Sequence, residues 1–142
     1  MATMHCEVLT PYRHFYAGEV ESVLFVTHDG EIEILPAHEP MVASVGIGIL
    51  RIRAEGIDRR AALSDGFVRV KTGRVDIFVD AAEWPEEVEL ERAQAALERA
   101  EKRLAEDTEA QAWQVAASRR AAARARNRIA VAAWASASPL EA

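Results

Sequence analysis

The stretch RVDIFVDAAEWPEEVELERAQAAL, residues 74–97, decides the fold, because one repeating pattern replaces another at Trp84-Pro85. Before this point, apolar residues alternate with other residues, as in a strand that buries one face. After it, leucine and alanine recur every three or four residues and glycine is absent, which is typical of helices. Since neither pattern can continue the structure of the other, the sequence predicts two modules.

Residues 1–84 contain short apolar or β-branched runs that are separated by turn residues. Such runs predict an antiparallel β-sandwich whose strands are joined by hairpins, with glycine supplying the positive backbone angles of the turns. In the run 74–79, Phe78 faces outward and is expected to pack on the sheet rather than to bind a partner. The expected strands are Val20–Thr27, Glu31–Leu35, Met41–Val45, Ile49–Arg53, Arg59–Leu63, Phe67–Lys71 and Arg74–Val79, and the turn pairs are Asp29-Gly30, Glu55-Gly56, Asp65-Gly66 and Thr72-Gly73.

Residues 86–135 predict an antiparallel hairpin of two helices, followed by a tail over residues 136–142. Pro85 suits the start of the first helix, and Thr108-Glu109-Ala110-Gln111 reads as the capping box of the second. The seam between the helices is rich in alanine and buries little area, so an open, extended state is expected to lie close in free energy. The first stripe comprises Leu90, Ala93, Leu97, Ala100 and Leu104, and the second comprises Trp113, Ala117, Ala121, Ala125, Ile129 and Ala133.

The two helices carry opposite charge, although the whole chain has a net charge of -6. Residues 86–109 hold nine acids and four bases, whereas residues 110–135 hold five arginines and no acid. Those arginines are Arg119, Arg120, Arg124, Arg126 and Arg128. One interpretation is that they form a solvated face. The other is that they bind an acidic partner, because no acid on the second helix relieves their mutual repulsion. The net negative charge argues against nucleic acid as that partner.

Several classes of function are disfavoured by what the sequence lacks. It has neither a phosphate-binding Walker loop nor a His-Glu-x-x-His motif, and no cluster with metal-ligand spacing. Ser64, His38 and Asp65 lack the context of a catalytic triad. The single cysteine, Cys6, is expected to be a strand residue, and no apolar run or secretory signal predicts a membrane span or export. We therefore expect a cytoplasmic, non-catalytic protein without a metal site.

Residues 30–40, GEIEILPAHEP, place His38 between two prolines just after a strand. Because each proline removes a backbone donor, His38 is expected on a rigid loop outside the sheet, where partners commonly dock. The alternative is that His38 only caps this loop.

This segment resembles the corresponding loop of the epsilon subunit of F-type ATP synthases, whose pattern is roughly Gly-Glu-x-Gly-x-x-Pro-x-His-x-Pro-Leu. Gly30, Glu31, Pro36, His38 and Pro40 match in register. Glu33 and Met41 depart from the pattern, since the family has glycine and leucine there. The segments 48–52, 64–67 and 75–80 also resemble strands of that family, and the order of the two modules agrees over nearly the whole chain.

The resemblance implies a non-catalytic rotor subunit in the central stalk of a proton-translocating ATP synthase. Glu31 and His38 would then contact the rotor, namely the gamma subunit and the c-ring. The five arginines of the second helix would reach the catalytic alpha and beta subunits and inhibit ATP hydrolysis. Such a protein would lie at the cytoplasmic face of the cell membrane and associate with it only through the complex. The alternative is a free-standing adaptor that binds an acidic partner through its arginine-rich helix.

The resemblance also raises ATP as a regulatory ligand, although no cofactor is required. Some family members bind ATP through a pattern close to Ile/Leu-Asp-x-x-Arg-Ala, which aligns with residues 88–93 here. Arg92 and Ala93 match, whereas Glu89 stands where the family has aspartate. Further contacts would come from Arg99, Arg124 and Arg128.

Overall fold

The computed structural model describes residues 2–106 and 109–137, except for the side chains of residues 135–137. It contains two compact units, Met1–Trp84 and Pro85–Ala142. The strands of the first unit are β1 (Met4–Leu9), β2 (His14–Val20), β3 (Ser22–Thr27), β4 (Gly30–Ile34), β5 (Met41–Val45), β6 (Gly48–Ala54), β7 (Ile57–Leu63), β8 (Gly66–Lys71), β9 (Arg74–Val79) and β10 (Ala82–Glu83). The second unit contains a 3₁₀ turn (Pro85–Glu87), α1 (Leu90–Glu106) and α2 (Ala112–Ala137).

The first unit is a β-sandwich, which confirms the predicted fold class. The first sheet has the strand order β2-β1-β9-β8-β5, and the second has the order β10-β7-β6-β3-β4. Alternating side chains of both sheets fill the core, and its largest fully buried members include Phe25, Ile34, Leu50, Ile52 and Ile77. Trp84 closes the unit at its C-terminal end, with its ring stacked on Phe15 at 4.3 Å and under the Arg59 guanidinium at 3.8 Å.

All seven predicted runs overlap strands, but β1, β2 and β10 were not predicted. Val20 was expected to begin a strand and instead ends β2, since β3 begins at Ser22. The expectation of purely antiparallel pairing is also wrong, because β1 pairs in parallel with β9, with Cys6 opposite Val75. Burial raises the pKa of the Cys6 thiol to about 12, which keeps it protonated and unreactive.

Three of the four predicted turn glycines adopt positive φ angles, namely Gly30, Gly56 and Gly73. Gly66 is required for a different reason. A Cβ atom at this position would collide with the backbone of Phe78 and Val79 on the neighbouring strand β9. Gly66 therefore permits a close approach of two backbones rather than an unusual dihedral angle.

An ionic network crosses four neighbouring strands on the outer face of the first sheet. It runs from Glu19 on β2 through His5 and Glu7 on β1 and Arg74 and Asp76 on β9 to Arg69 on β8. Both ring nitrogens of His5 face carboxylates, with Nε2 at 2.9 Å from Glu7 and Nδ1 at 3.3 Å from Glu19. A neutral imidazole has one donor, so this geometry favours the cation.

The pKa values of this network follow from its contacts. The hydrogen bond to Glu7, helped by Glu19, raises the pKa of His5 despite partial burial and the nearby Arg74. Burial works to raise the pKa of Asp76, but hydrogen bonds from Arg74 and Arg69 outweigh it and lower that pKa. Beside the network, Phe78 stacks on Phe67 at 4.8 Å, which confirms that it packs on the sheet.

The second unit is a helical hairpin, as predicted, but its helix starts differ from the prediction. Pro85 opens a 3₁₀ turn, and α1 begins only at Leu90, so Glu86 and Glu87 precede the first turn of the helix. Thr108 lies outside the described residues, and α2 begins at Ala112 rather than directly after it. Gln111 caps α2 instead: its carbonyl accepts from Gln114 and Val115, and its own N–H donates to the Gln114 side chain at 2.8 Å.

The helix α2 continues through Ala137, so the predicted tail over residues 136–142 begins two residues too early. Residues 138–142 lie outside the described residues.

The seam between the helices is rich in alanine, but its position on α2 differs from the predicted stripe. On α1, Ala93 and Ala100 are fully buried, whereas Leu90 is 42% exposed. On α2, Trp113 is 67% exposed, and Ala117 and Ala133 are also exposed. The residues buried there are Ser118, Ala122, Ala125 and Val131. Alanine occupies so many positions of α2 that several stripes look equally apolar, and the partner helix selects among them.

Candidate functional site

The predicted docking loop connects the edges of the two sheets. Strand β4 is the edge of the second sheet, β5 is the edge of the first, and residues 35–40 lead from one to the other. Pro36 sits inside a tight turn in which the His38 N–H donates to the Leu35 carbonyl at 2.9 Å. The His38 ring Nδ1 lies 2.8 Å from the Glu39 carbonyl. Because a carbonyl can only accept, Nδ1 carries the proton and Nε2 is left for another contact.

Glu31 and His38 lie apart on this edge. Glu31 is the second residue of β4 and is exposed, whereas half-buried His38 follows the far end of the strand. The rise of a strand is about 3.3 Å per residue, so Glu31 and Ile34 alone are separated by about 10 Å. The structure therefore does not bring the two predicted contact residues together at one point.

The side chains between them complete a continuous strip. Glu33 shares the outward face of β4 with Glu31, because alternate residues of a strand point the same way, and Leu35 directly follows the last residue of β4. Glu33 is exposed and Leu35 is 52% exposed. We call Glu31, Glu33, Leu35 and His38 the edge strip. Sequence reasoning missed Glu33 and Leu35, although the alternation of the segment 31–35 would have identified them.

The two carboxylates of the edge strip differ in their surroundings. Glu33 reaches across β3 to Arg51 on β6, with Oε2 and Nη2 at 3.3 Å. Glu31 forms no ion pair within the described part of the chain. Glu31 is thus the strip's free negative charge, and Glu33, where the resembled family has glycine, is partly neutralised.

The helical hairpin presents its arginines mainly to solvent. Arg119, Arg120, Arg124 and Arg126 are exposed, and Arg128 is half-buried. Arg126 pairs with Glu101 of α1 at 3.1 Å, and Arg120 and Arg128 take part in other interactions. No acid in residues 2–106 or 109–137 forms an ion pair with Arg119 or Arg124. These two cations are therefore available to an external anion.

The residues predicted to bind ATP lie in two groups. Glu89 and Arg92 pair directly, with Oε1 and Nη1 at 2.8 Å, and both are well exposed. Arg99 lies about 10 Å further along α1, given a rise of 1.5 Å per residue. Because the helices are antiparallel and Glu101 contacts Arg126, Arg99 is level with the part of α2 that holds Arg124 and Arg128. The structure brings together Glu89 and Arg92, and places the three remaining arginines nearer the middle of the hairpin.

The three residues considered for a triad are far from that role. Ser64 is buried, and its Oγ accepts a hydrogen bond from the Ala81 N–H at 2.8 Å. The pairing of β5 with β8 places Met41 opposite Val70 and Val45 opposite Gly66. His38, which precedes Met41, is therefore at the opposite end of the sandwich from Ser64 and Asp65. The structure rejects this enzymatic alternative.

Among the described residues, no helix combines the length and apolar character that crossing a bilayer requires. The same residues contain no group of three or more His, Cys, Asp or Glu side chains arranged to hold a metal ion.

Residues 3–85 match the family model described as ATP synthase, Delta/Epsilon chain, beta-sandwich domain. The chain is 47% identical over 104 residues to the ATP synthase epsilon chain of Ruminiclostridium cellulolyticum, and the aligned region covers 73% of this chain and 78% of the relative. It is 48% identical over 104 residues to the ATP synthase epsilon chain of Caldicellulosiruptor bescii, covering 73% and 76%.

The fold is similar to chains of two solved assemblies. One is from the Euglena gracilis mitochondrial ATP synthase, OSCP/F1/c-ring, with a TM-score of 0.78, 25% identity, and coverage of 92% of this chain and 81% of that chain. The other, from the central stalk and c-ring of the Tetrahymena thermophila mitochondrial ATP synthase, has a TM-score of 0.64 at 15% identity and covers 92% and 97%. Because the family model matches residues 3–85 and these relatives align over more than two thirds of both chains, the chain belongs to the epsilon-chain family of ATP synthase and is a non-catalytic subunit of that complex.

Proposed function

We propose that this subunit couples proton flow to ATP synthesis from the central stalk and inhibits ATP hydrolysis through its helical hairpin. The observation that carries the inhibitory role is the exposure of Arg119 and Arg124 without an ion-pair partner in the described residues. The buried residues of the seam between the helices are mostly alanine, so little apolar area opposes opening of the hairpin. An acidic surface that binds the extended state more tightly would shift the population toward it.

The partner of these arginines is the catalytic alpha and beta subunits, with acidic loops as the binding surface. Arg126 would have to leave Glu101 to join Arg119 and Arg124, so this exposed pair favours the folded state slightly. Arg120 and Arg128 belong to the same basic helix and add to its positive potential.

The sandwich docks on the rotor, with the edge strip meeting the gamma subunit and the c-ring. Glu31 supplies a free carboxylate and His38 a ring Nε2 on a loop fixed by two prolines. Because they lie at opposite ends of β4, we expect the partner to contact the strip along its length. The subunit is then held at the cytoplasmic face of the membrane solely by the complex.

ATP is a candidate regulatory ligand of the folded hairpin. Arg99, Arg124 and Arg128 could meet phosphate oxygens, and Glu89 with Arg92 could meet the rest of the nucleotide. ATP at about 100 times its dissociation constant would stabilise the folded hairpin by about 2.7 kcal/mol. Calorimetric titration of the purified chain tests this, and an Arg92→Ala variant should lose the binding heat.

The inhibitory role is tested by deleting residues 86–142 and assaying ATP hydrolysis by the assembled complex. We expect hydrolysis to rise. A finer test replaces Arg119 and Arg124 together by glutamine, with Lys71→Gln on the sandwich as the control for loss of charge. Unchanged hydrolysis in the deletion variant, with the complex intact, would overturn the proposal.

A further inference from the structure

A cavity of about 240 Å³ lies at the closed end of the hairpin. Both helices contribute to it: Arg103 and Leu104 come from α1, and Trp113, Val115, Ala117 and Ser118 come from α2. Ligand sites are typically concave and largely apolar, with a few polar groups that orient the ligand. This cavity has that composition, since leucine, valine and alanine form much of its wall.

Trp113 forms an aromatic wall that is held in place. Its side chain is 67% exposed, which is unusual for so large an apolar group. The indole Nε1–H donates to the Gln111 Oε1 at 2.8 Å, and this hydrogen bond orients the ring. An exposed ring with a fixed orientation offers a flat surface on which a planar group can stack.

Arg103 supplies a positive charge at the rim. Its Nε lies 3.4 Å from the Ser118 Oγ, a long hydrogen bond, and no acid of the described residues forms an ion pair with it. Arg103 also lines a neighbouring cavity of about 470 Å³ with Arg99, Lys102 and Glu106. Arg99, Lys102 and Arg103 are cations, and only Glu106 is an acid. The positive potential around Arg103 therefore favours an anion as its partner.

We propose that the closed end of the hairpin binds a small organic anion that has a planar or short apolar body and one carboxylate or phosphate group. The body packs between Trp113 and the apolar wall, and the anionic group accepts hydrogen bonds from Arg103. The site is distinct from Glu89 and Arg92, which lie more than two helical turns away along α1.

Binding at this site stabilises the folded hairpin, because the walls of the cavity come from both helices. A ligand that binds only the folded state multiplies the ratio of folded to open hairpin by 1 + [L]/Kd, or about 11-fold at ten times Kd. The site would therefore oppose the extended state and, if the proposed inhibitory function holds, would relieve inhibition. The binding itself does not depend on that function.

The test uses the full chain and ¹H–¹⁵N spectra, in which the Trp113 indole signal is assigned by its absence in a Trp113→Phe variant. Phenyl phosphate and phenylacetate are the probes, inorganic phosphate tests the anionic group alone, and benzyl alcohol tests the apolar body alone. We expect both aromatic anions to shift the Trp113 signal to saturation and the two partial probes to bind more weakly.

Matched variants separate a built site from general attraction of anions. Arg103→Gln should weaken phenyl phosphate at least about tenfold, since it removes charge-assisted hydrogen bonds. Lys102→Gln removes the same charge one residue away, outside this cavity, and should change affinity much less. The helicity of Arg103→Gln should equal that of the native chain by circular dichroism, which would show that the loss of affinity is not a loss of fold.

Three outcomes would overturn the proposal. The first is the absence of any saturable shift, and the second is an equal loss of affinity in Arg103→Gln and Lys102→Gln with helicity preserved. The third is a set of shifts at Glu89 and Arg92 without any at Trp113, which would place the anion at the predicted nucleotide residues.

Discussion

Arg126 of α2 donates from Nη2 to the Glu101 Oε2 on α1 at 3.1 Å and so links the two helices of the hairpin across their seam. Both side chains are about half exposed, and such pairs contribute about 0–1 kcal/mol. An Arg126→Glu substitution replaces attraction by repulsion at this contact. We expect faster amide hydrogen exchange in α2 and partial recovery when Glu101→Arg is added.

The control for this pair is Arg119→Glu, which changes the same charge on the same helix at a position without an ion pair in the described chain. It should leave exchange in α2 nearly unchanged. Equal acceleration by Arg119→Glu and Arg126→Glu would show that overall helix charge, rather than the pair, governs opening.

Because the helices approach closely at Ala100, we expect a larger side chain at this position to destabilise the hairpin strongly. Ala100 is fully buried, and leucine there would overpack the seam, an effect that typically costs about 1–3 kcal/mol. Ala95→Leu on the exposed face of α1 is the matched control, since both changes preserve helix propensity. Thermal unfolding of the helical signal measures both variants, and similar midpoints would contradict the observed seam.

The ionic network on the first sheet predicts a dependence of stability on pH. The pKa of His5 is raised in the folded state, so its contribution is fully present below the unfolded value of 6.5 and is lost as pH rises through the folded pKa. The unfolding temperature should therefore fall as pH rises above 6.5 and through the folded pKa of His5, and it should fall more in the native chain than in His5→Gln. His14→Gln, at an exposed position outside the network, is the control for the loss of a histidine side chain.

Adding one methyl group at Gly66 is expected to lower the free energy of unfolding strongly. In Gly66→Ala the Cβ would meet the backbone of Phe78 and Val79, which can move only if β8 and β9 separate. We expect a loss of more than about 2 kcal/mol in the free energy of unfolding, because backbone strain belongs to the severe class of substitutions. Gly46→Ala, where the nearest atom would lie 3.6 Å from the new Cβ, should change stability by less than about 1 kcal/mol.

Local sequence patterns were sufficient to predict most of the strands and the helical hairpin. Turn glycines and alternating residues marked β3 to β9, because both signals arise from neighbouring residues. Strand β1 carries alternation too, but its parallel pairing with β9 depends on residues far away in the sequence. The buried face of α2 could not be predicted from the sequence, since alanine lies on nearly every face of the helix and no single face is distinctly more apolar.

In the candidate site, too, contacts between residues distant in the sequence could not be predicted. The proline-bracketed loop was located from sequence, whereas the separation of Glu31 from His38 became visible only once β4 was known to be a sheet edge. The ion pair between Glu33 and Arg51 joins β4 to β6 across an intervening strand, and no local spacing reveals it.

The pairing of β1 with β9 has a consequence for how the chain is made. Cys6 and Val75 are opposite each other and lie 69 positions apart in the sequence. At about 5–20 residues per second, β1 waits roughly 4–14 s after its own synthesis for its parallel neighbour. During that interval one edge of β1 is unsatisfied in the nascent polypeptide, so translation speed and chaperone contact bear on the yield of this subunit.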